Sequence, residues 1–209
     1  MPRPRTVRRR RLPAAALAAA ALTVLPAASA TAAPAAPPAP AAAHPAAPRA
    51  TANSLDIAMQ AQENSNWCWA GSGNTIAAWY GRTYTQNQFC NAAFGRPQNT
   101  ACPNDQATLG NVQNAFAWMG LNPGSYVSGY LAYDTVRGEI DARRPVETRI
   151  QWASGGGHMH VLYGYDADRG WVRWGDPWPS NNRYNWGDYG YYVNGNDFSW
   201  THSLYRTGA

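Results

Sequence analysis

QENSNWCWAGSGNTIAAWYG, residues 62–81, decides the fold class, because it sets a cysteine at the first position of a predicted helix. From Cys68 onward the spacing is helical, with Ala70, Ile76, Ala77 and Tyr80 able to share one face and Gly81 placed as a stop. Gly71 and Gly73 weaken the helix propensity. Close packing against a neighbouring element explains them, as a central helix requires. A thiol of ordinary pKa, about 8.5, is mostly protonated at neutral pH. The unpaired N–H groups and positive dipole end of a helix N-terminus favour its thiolate, and Cys68 occupies that place.

Further along, Thr85 and Gln88 form a T-x-x-Q capping box that opens a second helix. A third is predicted over 107–119, with Leu109, Val112 and Phe116 on one side and Gly120 beyond its end, and a short fourth over 135–143. The period then changes to two. Val146, Thr148, Ile150 and Trp152 alternate with Glu147, Arg149 and Gln151, which reads as a half-buried strand. Strands over 158–165 and 171–175 follow, joined by the turn-rich DADRG. Residues 191–198 carry the hairpin signal Asn194-Gly195, against which 199–206 can pair back. Helices first and an antiparallel sheet afterwards define an α+β domain.

The N-terminal region has a different composition. MPRPRTVRRRR, residues 1–11, runs into LPAAALAAAALTVLPAASA, an apolar stretch too short and too small in its side chains for a membrane span. Residues 1–30 therefore read as a signal peptide, with Ala28 and Ala30 fitting an A-x-A cleavage site and Ala32 a competing one. The arginines also invite a twin-arginine reading, but its usual flanking residues are missing. Residues 31–52, nearly all Ala and Pro, read as a linker or short propeptide, and 53–209 as one domain. Seven of the seventeen basic residues precede position 50 and all twelve acidic ones follow it. The remainder thus sets ten basic residues against twelve acidic, a net charge of −2. That balance gives no footprint for nucleic acid, and no later apolar run would hold the mature chain in a membrane.

Three cysteines in an exported chain leave one over after any pairing. Cys90 and Cys102 are close enough in sequence to close a small loop, worth about 3 kcal/mol on a chain-entropy estimate, and Cys68 is then the free thiol. Three unpaired cysteines are the alternative. An imidazolium beside Cys68 would favour its thiolate further. His44 lies in the linker and His202 near the C-terminus, so His158 and His160 remain as candidates. Period-two geometry points both to one side of their strand and does not separate them.

The stretch 62–70, GGGH at 155–158 and GDPW at 175–178 together resemble, in order, the three signature regions of papain-like cysteine peptidases. The likeness is to the short bacterial secreted members, including the plant-effector peptidases and, more distantly, the staphopains. It runs from about residue 60 to 178 and fades beyond. The resemblance implies a papain-like fold, with a helical N-terminal part and a central catalytic helix packed on a C-terminal antiparallel sheet. It implies Cys68 as nucleophile and Gln62, six positions earlier, as oxyanion-hole donor, with Gln60 the bland surface alternative. His158, followed by Gly164 six positions on, keeps the family's register as acid/base residue, whereas His160 does not. Asp176, followed by Pro177, would orient that histidine where papain itself has asparagine, and Trp178 would shield the pair. Trp67, Trp69, Gly156, Gly157 and Trp178 are the expected substrate-binding residues. Protein or peptide substrates, no cofactor, no metal and a secreted monomer complete the expectation. His-x-His alone is a weak zinc signal without a third ligand at a recognisable spacing.

Two other classes compete. Cys-His peptidoglycan amidases typically set their cysteine in an Asp-Cys-Ser context, unlike Cys68. A binding module on an inactive scaffold, to which ten tryptophans would lend a carbohydrate-binding surface, needs no cysteine, glutamine and histidine at these spacings.

Overall fold

In the computed structural model, which describes residues 50–208, the first helix, α1 (Cys68–Trp79), begins at the cysteine itself. The expected signal peptide and residues 31–49 of the expected linker lie outside the described residues. Every residue of α1 from Trp69 to Ala77 is buried, so the helix is enclosed by its neighbours. This is why two glycines sit inside it. A Cβ at Gly71 would lie 3.1 Å from Pro177 Cβ, and one at Gly73 would run into the Phe89 ring.

Capping sets the starts of the next two helices. In α2 (Gln86–Ala93), Gln88 N–H donates to Thr85 Oγ1 at 3.1 Å and Thr85 N–H donates to Gln88 Oε1 at 3.0 Å. The same exchange between Thr108 and Asn111 opens α3 (Leu109–Trp118), two residues later than its hydrophobic pattern suggests. The two helices pack through Phe89 and Phe116, edge to face at 5.8 Å. A disulfide joins Cys90 to Cys102, and Cys68 is free. The fourth helix, α4 (Tyr133–Asp141), begins and ends two residues before its expected bounds, and Arg143 beyond it takes a left-handed φ of 60°.

The sheet is antiparallel throughout. β2 (Ser125–Ser128), β7 (Phe198–Tyr205), β3 (Val146–Trp152), β4 (Gly157–Asp166), β5 (Trp171–Gly175) and β6 (Tyr184–Asp188) lie side by side in that order. β1 (Ala52–Ser54) pairs with the far end of β4, so ordered pairing already begins at Ala52, the last residue of the expected linker. Helix α1 packs on β4, where Ser72 Oγ donates to Met159 O at 3.2 Å.

Two sequence expectations need correcting. The segment around Asn194-Gly195 is a short helix, α5 (Tyr189–Asn194), because Asp188 caps it by accepting from Tyr191 N–H. β7 therefore pairs along its length with β3 and β2, and meets the end of 191–198 only through one antiparallel bridge, Asn194 to Ser199. β3 is also not half-buried: Val146, Glu147 and Thr148 are buried in succession. Thr148 Oγ1 meets Tyr192 OH of α5 at 2.7 Å on one face, so Glu147 points to the opposite one. There its carboxyl is fully buried and both oxygens lack a partner among the described residues.

That burial, with the charge of Cys68 adding to it, pushes the Glu147 carboxyl well above its ordinary value. A raised folded-state pKa means that the unfolded chain releases this proton first, so stability falls as pH rises above the ordinary value of 4.5. Glu147→Gln should therefore stabilise the protein at pH 8, with a smaller gain at pH 5. Urea denaturation at the two pH values measures the difference, and equal gains would contradict it.

Candidate active site

Three elements converge on one point. Cys68 opens α1, His158 is the second residue of β4, and Asp176 follows the last residue of β5. As one of the first four N–H groups of a helix, that of Cys68 has no intrahelical acceptor. No side chain caps α1 and its first turn holds no acidic residue, so nothing local offsets its positive end. The strand register sets His158 opposite Ile150 and His160 opposite Thr148. The loop after β5 is tied to the segment before Cys68, since Gln62 N–H donates to Pro177 O at 2.8 Å.

His158 Nε2 donates to Asp176 Oδ1 at 2.7 Å, with both side chains almost wholly buried. The other ring nitrogen is thereby left for Cys68, whose hydrogen bond and charge act on this imidazole. Asp176 has further donors. Trp178 N–H reaches Oδ1 at 2.8 Å, and Asn181 Nδ2 reaches Oδ2 at 2.8 Å. His160 Nε2 stands 3.6 Å from Oδ2, longer than a hydrogen bond, and its Nδ1 is 3.3 Å from Tyr192 OH.

One carboxylate between two imidazoles gives them different charges. Burial disfavours a charged His158, but its hydrogen bonds to Asp176 and Cys68, with their charges, outweigh that and raise it to about 9. For His160 burial prevails, aided by repulsion from His158, and its pKa is lowered. Burial works against the Asp176 carboxylate too, yet the hydrogen bond from His158 and the nearness of both imidazoles hold it well below the ordinary range.

Beside Cys68 and His158 opens a cleft of about 300 Å³. Of the expected substrate-binding residues, Trp69, Gly157 and Trp178 line it. Trp67 and Gly156 do not. Trp67 is turned into the core, its indole N–H on Pro103 O. Gly156 makes the turn before β4 with a φ of 82°, and its carbonyl accepts from Trp152 N–H and Gln151 Nε2. Gln62 is buried off the cleft lining. Its side-chain Nε2 donates to Asn64 O at 2.8 Å and Ser65 O at 2.9 Å, and its Oε1 has no partner among the described residues. Gln60 is bonded elsewhere, to Thr75 and Asn74 of α1.

Sequence reasoning missed three residues here. Trp152 stacks on His158 at 5.9 Å and 23°, covering the ring face, whereas Trp178 meets it edge-on at 6.3 Å. Asn181 and Arg149 are the others. The signal for Trp152 was available, since its place at the end of β3 sets it beside the head of β4.

Among the described residues, His158, His160 and Asp176 form a group whose ligand atoms lie within 4.8 Å of one another and could hold a metal ion. Its shortest span is the 2.7 Å hydrogen bond, which an ion would have to break.

Compared with known proteins, residues 51–188 match the family described as papain-like cysteine protease AvrRpt2, and the chain belongs to that family. It is a cysteine peptidase with a papain-like α+β fold. No curated protein matches it. No described helix is long and apolar enough to cross a membrane.

Since Asp176 supplies part of what raises His158 and burial opposes it, Asp176→Asn should move the His158 titration down from about 9 towards neutrality. NMR of the ring resonances against pH reads both proteins. An unmoved midpoint would show that Asp176 does not set the charge of this histidine.

Proposed function

We propose that this chain is an exported endopeptidase that cleaves peptide bonds by acyl transfer through Cys68. The observation that carries the reading is the 2.7 Å bond from His158 Nε2 to Asp176, which fixes the ring with its other nitrogen towards a cysteine at an uncapped helix start. In the first step Cys68 attacks the substrate carbonyl carbon as a thiolate, paired with a His158 imidazolium that already carries the proton on Nδ1. The carbonyl oxygen becomes an oxyanion, towards which the Cys68 backbone N–H donates. Gln62 is the second donor, and to serve it releases one of its bonds to Asn64 or Ser65. The imidazolium then protonates the departing amine as the C–N bond breaks, leaving a thioester on Cys68. Water, deprotonated by His158, attacks the thioester and frees the acid. Asp176 keeps its hydrogen bond to Nε2 throughout and stabilises the imidazolium. Export is supported by the pattern of residues 1–30 and by the disulfide, which suits an oxidising compartment.

Single variants test the roles against a peptide substrate, with circular dichroism to confirm folding. Cys68→Ala and His158→Ala should each lower kcat/KM by about 1,000-fold or more. His160→Ala should lower the melting temperature and retain turnover. An inactive, folded His160→Ala beside an active His158→Ala would reverse the assignment.

Gln62→Ala should lower kcat by about 100-fold, the usual loss for one oxyanion donor. A kcat within a few-fold of wild type would remove Gln62 from the scheme.

A further inference from the structure

Among the described residues lining the cleft, one charged side chain has no part in that scheme: Arg149. It stands on β3 opposite Met159, one register step from the pair Ile150 and His158. Its guanidinium lies against the bare Cα of Gly157, where a Cβ would come within 2.8 Å of Cζ and 3.0 Å of Nε. Gly157 is thus the residue that makes room for it.

Two neutral groups hold the guanidinium in place. Nη1 donates to Thr201 Oγ1 at 2.9 Å, and Nη2 donates to Gln151 Oε1 at 3.2 Å. Thr201 is itself fixed, its hydroxyl donating to Arg149 O at 3.0 Å. A guanidinium has five N–H bonds, so three remain for another acceptor. No described carboxylate forms an ion pair with it. A half-buried cation without a counter-charge is costly. Here it is pinned, faces a substrate cleft and has donors to spare, the arrangement that suits a planar carboxylate bound by two parallel hydrogen bonds.

We propose that Arg149 gives this peptidase a preference for substrates that place a carboxylate in the cleft beside the scissile bond. The proposal rests on the reading that Cys68 and His158 act at this cleft. The carboxylate comes either from an Asp or Glu side chain or from the free C-terminus of the substrate. In both cases it would replace water on the free N–H groups and neutralise the charge.

The test uses fluorogenic peptides in which Glu and Gln are exchanged at each position around the cleaved bond, each with a free or an amidated C-terminus. The expected result for wild type is about a ten-fold or greater preference in kcat/KM for the carboxylate form in one arm, the scale of a charge-assisted pair. A preference for Glu that survives amidation assigns the side chain, and one that amidation removes assigns the terminus. In Arg149→Gln the ratio should fall to near one, and in Arg149→Glu it should turn towards peptides carrying Lys at the same position. Cleavage that ignores both exchanges, or a preference that persists in Arg149→Gln, overturns the proposal and leaves the Cys68 scheme standing. Should wild type cleave none of the peptides, that scheme is what has failed. Anisotropy of the same peptides on Cys68→Ala then reads the arginine alone, and equal affinity for Glu and Gln forms, and for free and amidated termini, overturns it.

Discussion

The Asp176 carboxylate is the group on which the geometry of the cleft depends. Oδ1 takes the N–H groups of His158 and Trp178, and Oδ2 takes the Asn181 amide and faces His160. So many donors make a buried anion tolerable, and they hold it still. The chain on either side is also fixed. Gly175 lies where a Cβ would come within 2.6 Å of Met59 Sδ, so the turn out of β5 packs closely under that side chain. Pro177 receives the Gln62 N–H and packs on Gly71 of α1. The loop that orients His158 therefore also locates the helix that carries Cys68.

The contrast between His158 and His160 follows from position along one strand. Their rings are 5.0 Å apart and share a carboxylate, yet only His158 is within hydrogen-bond length of it. His160 is enclosed by Trp174, Tyr192 and Phe198, rings that solvate a cation poorly compared with water. His158, two residues nearer the strand head, has Trp152 over its face and the cleft beside it. A proton on this pair of rings thus settles on the one next to Cys68.

What the sequence disclosed, and what it hid, divides by the range of the interaction. The start of α2 at Thr85 and the burial of Gly71 and Gly73 were readable because caps and glycines act within a turn or signal a missing side chain. The succession from α1 to α4 and then β3 to β5 was readable for the same reason, whereas the short strands β1, β2 and β6 were not. Glu147 misled because alternation marks a strand but not what covers its second face, and here both are covered. Asn194-Gly195 misled because a hairpin signal competes with a cap, and Asp188, six residues upstream of Asn194, had already started a helix. The contacts of Asn181, Trp152 and Arg149 depend on which strands lie side by side, a tertiary fact that local pattern does not contain. Register carried over from a resemblance separated His158 from His160. The electrostatics give the independent reason.

Several local rules are broken within this one region, and stability alone explains none of the breaks. α1 starts without a side-chain cap, although Thr85, Thr108 and Asp188 cap three of the other helices. A cap is worth about 1 kcal/mol. Leaving it out keeps the helix N–H groups free beside Cys68. Among the described residues, Arg149 holds a positive charge against a glycine with neutral partners only, and Glu147 lies buried and unpartnered on the face of β3 opposite Tyr192. The long-range core packing of α1 against Phe89, Pro177 and β4 offsets these costs. A well-packed helix can begin with bare N–H groups because its middle, not its end, holds it in place.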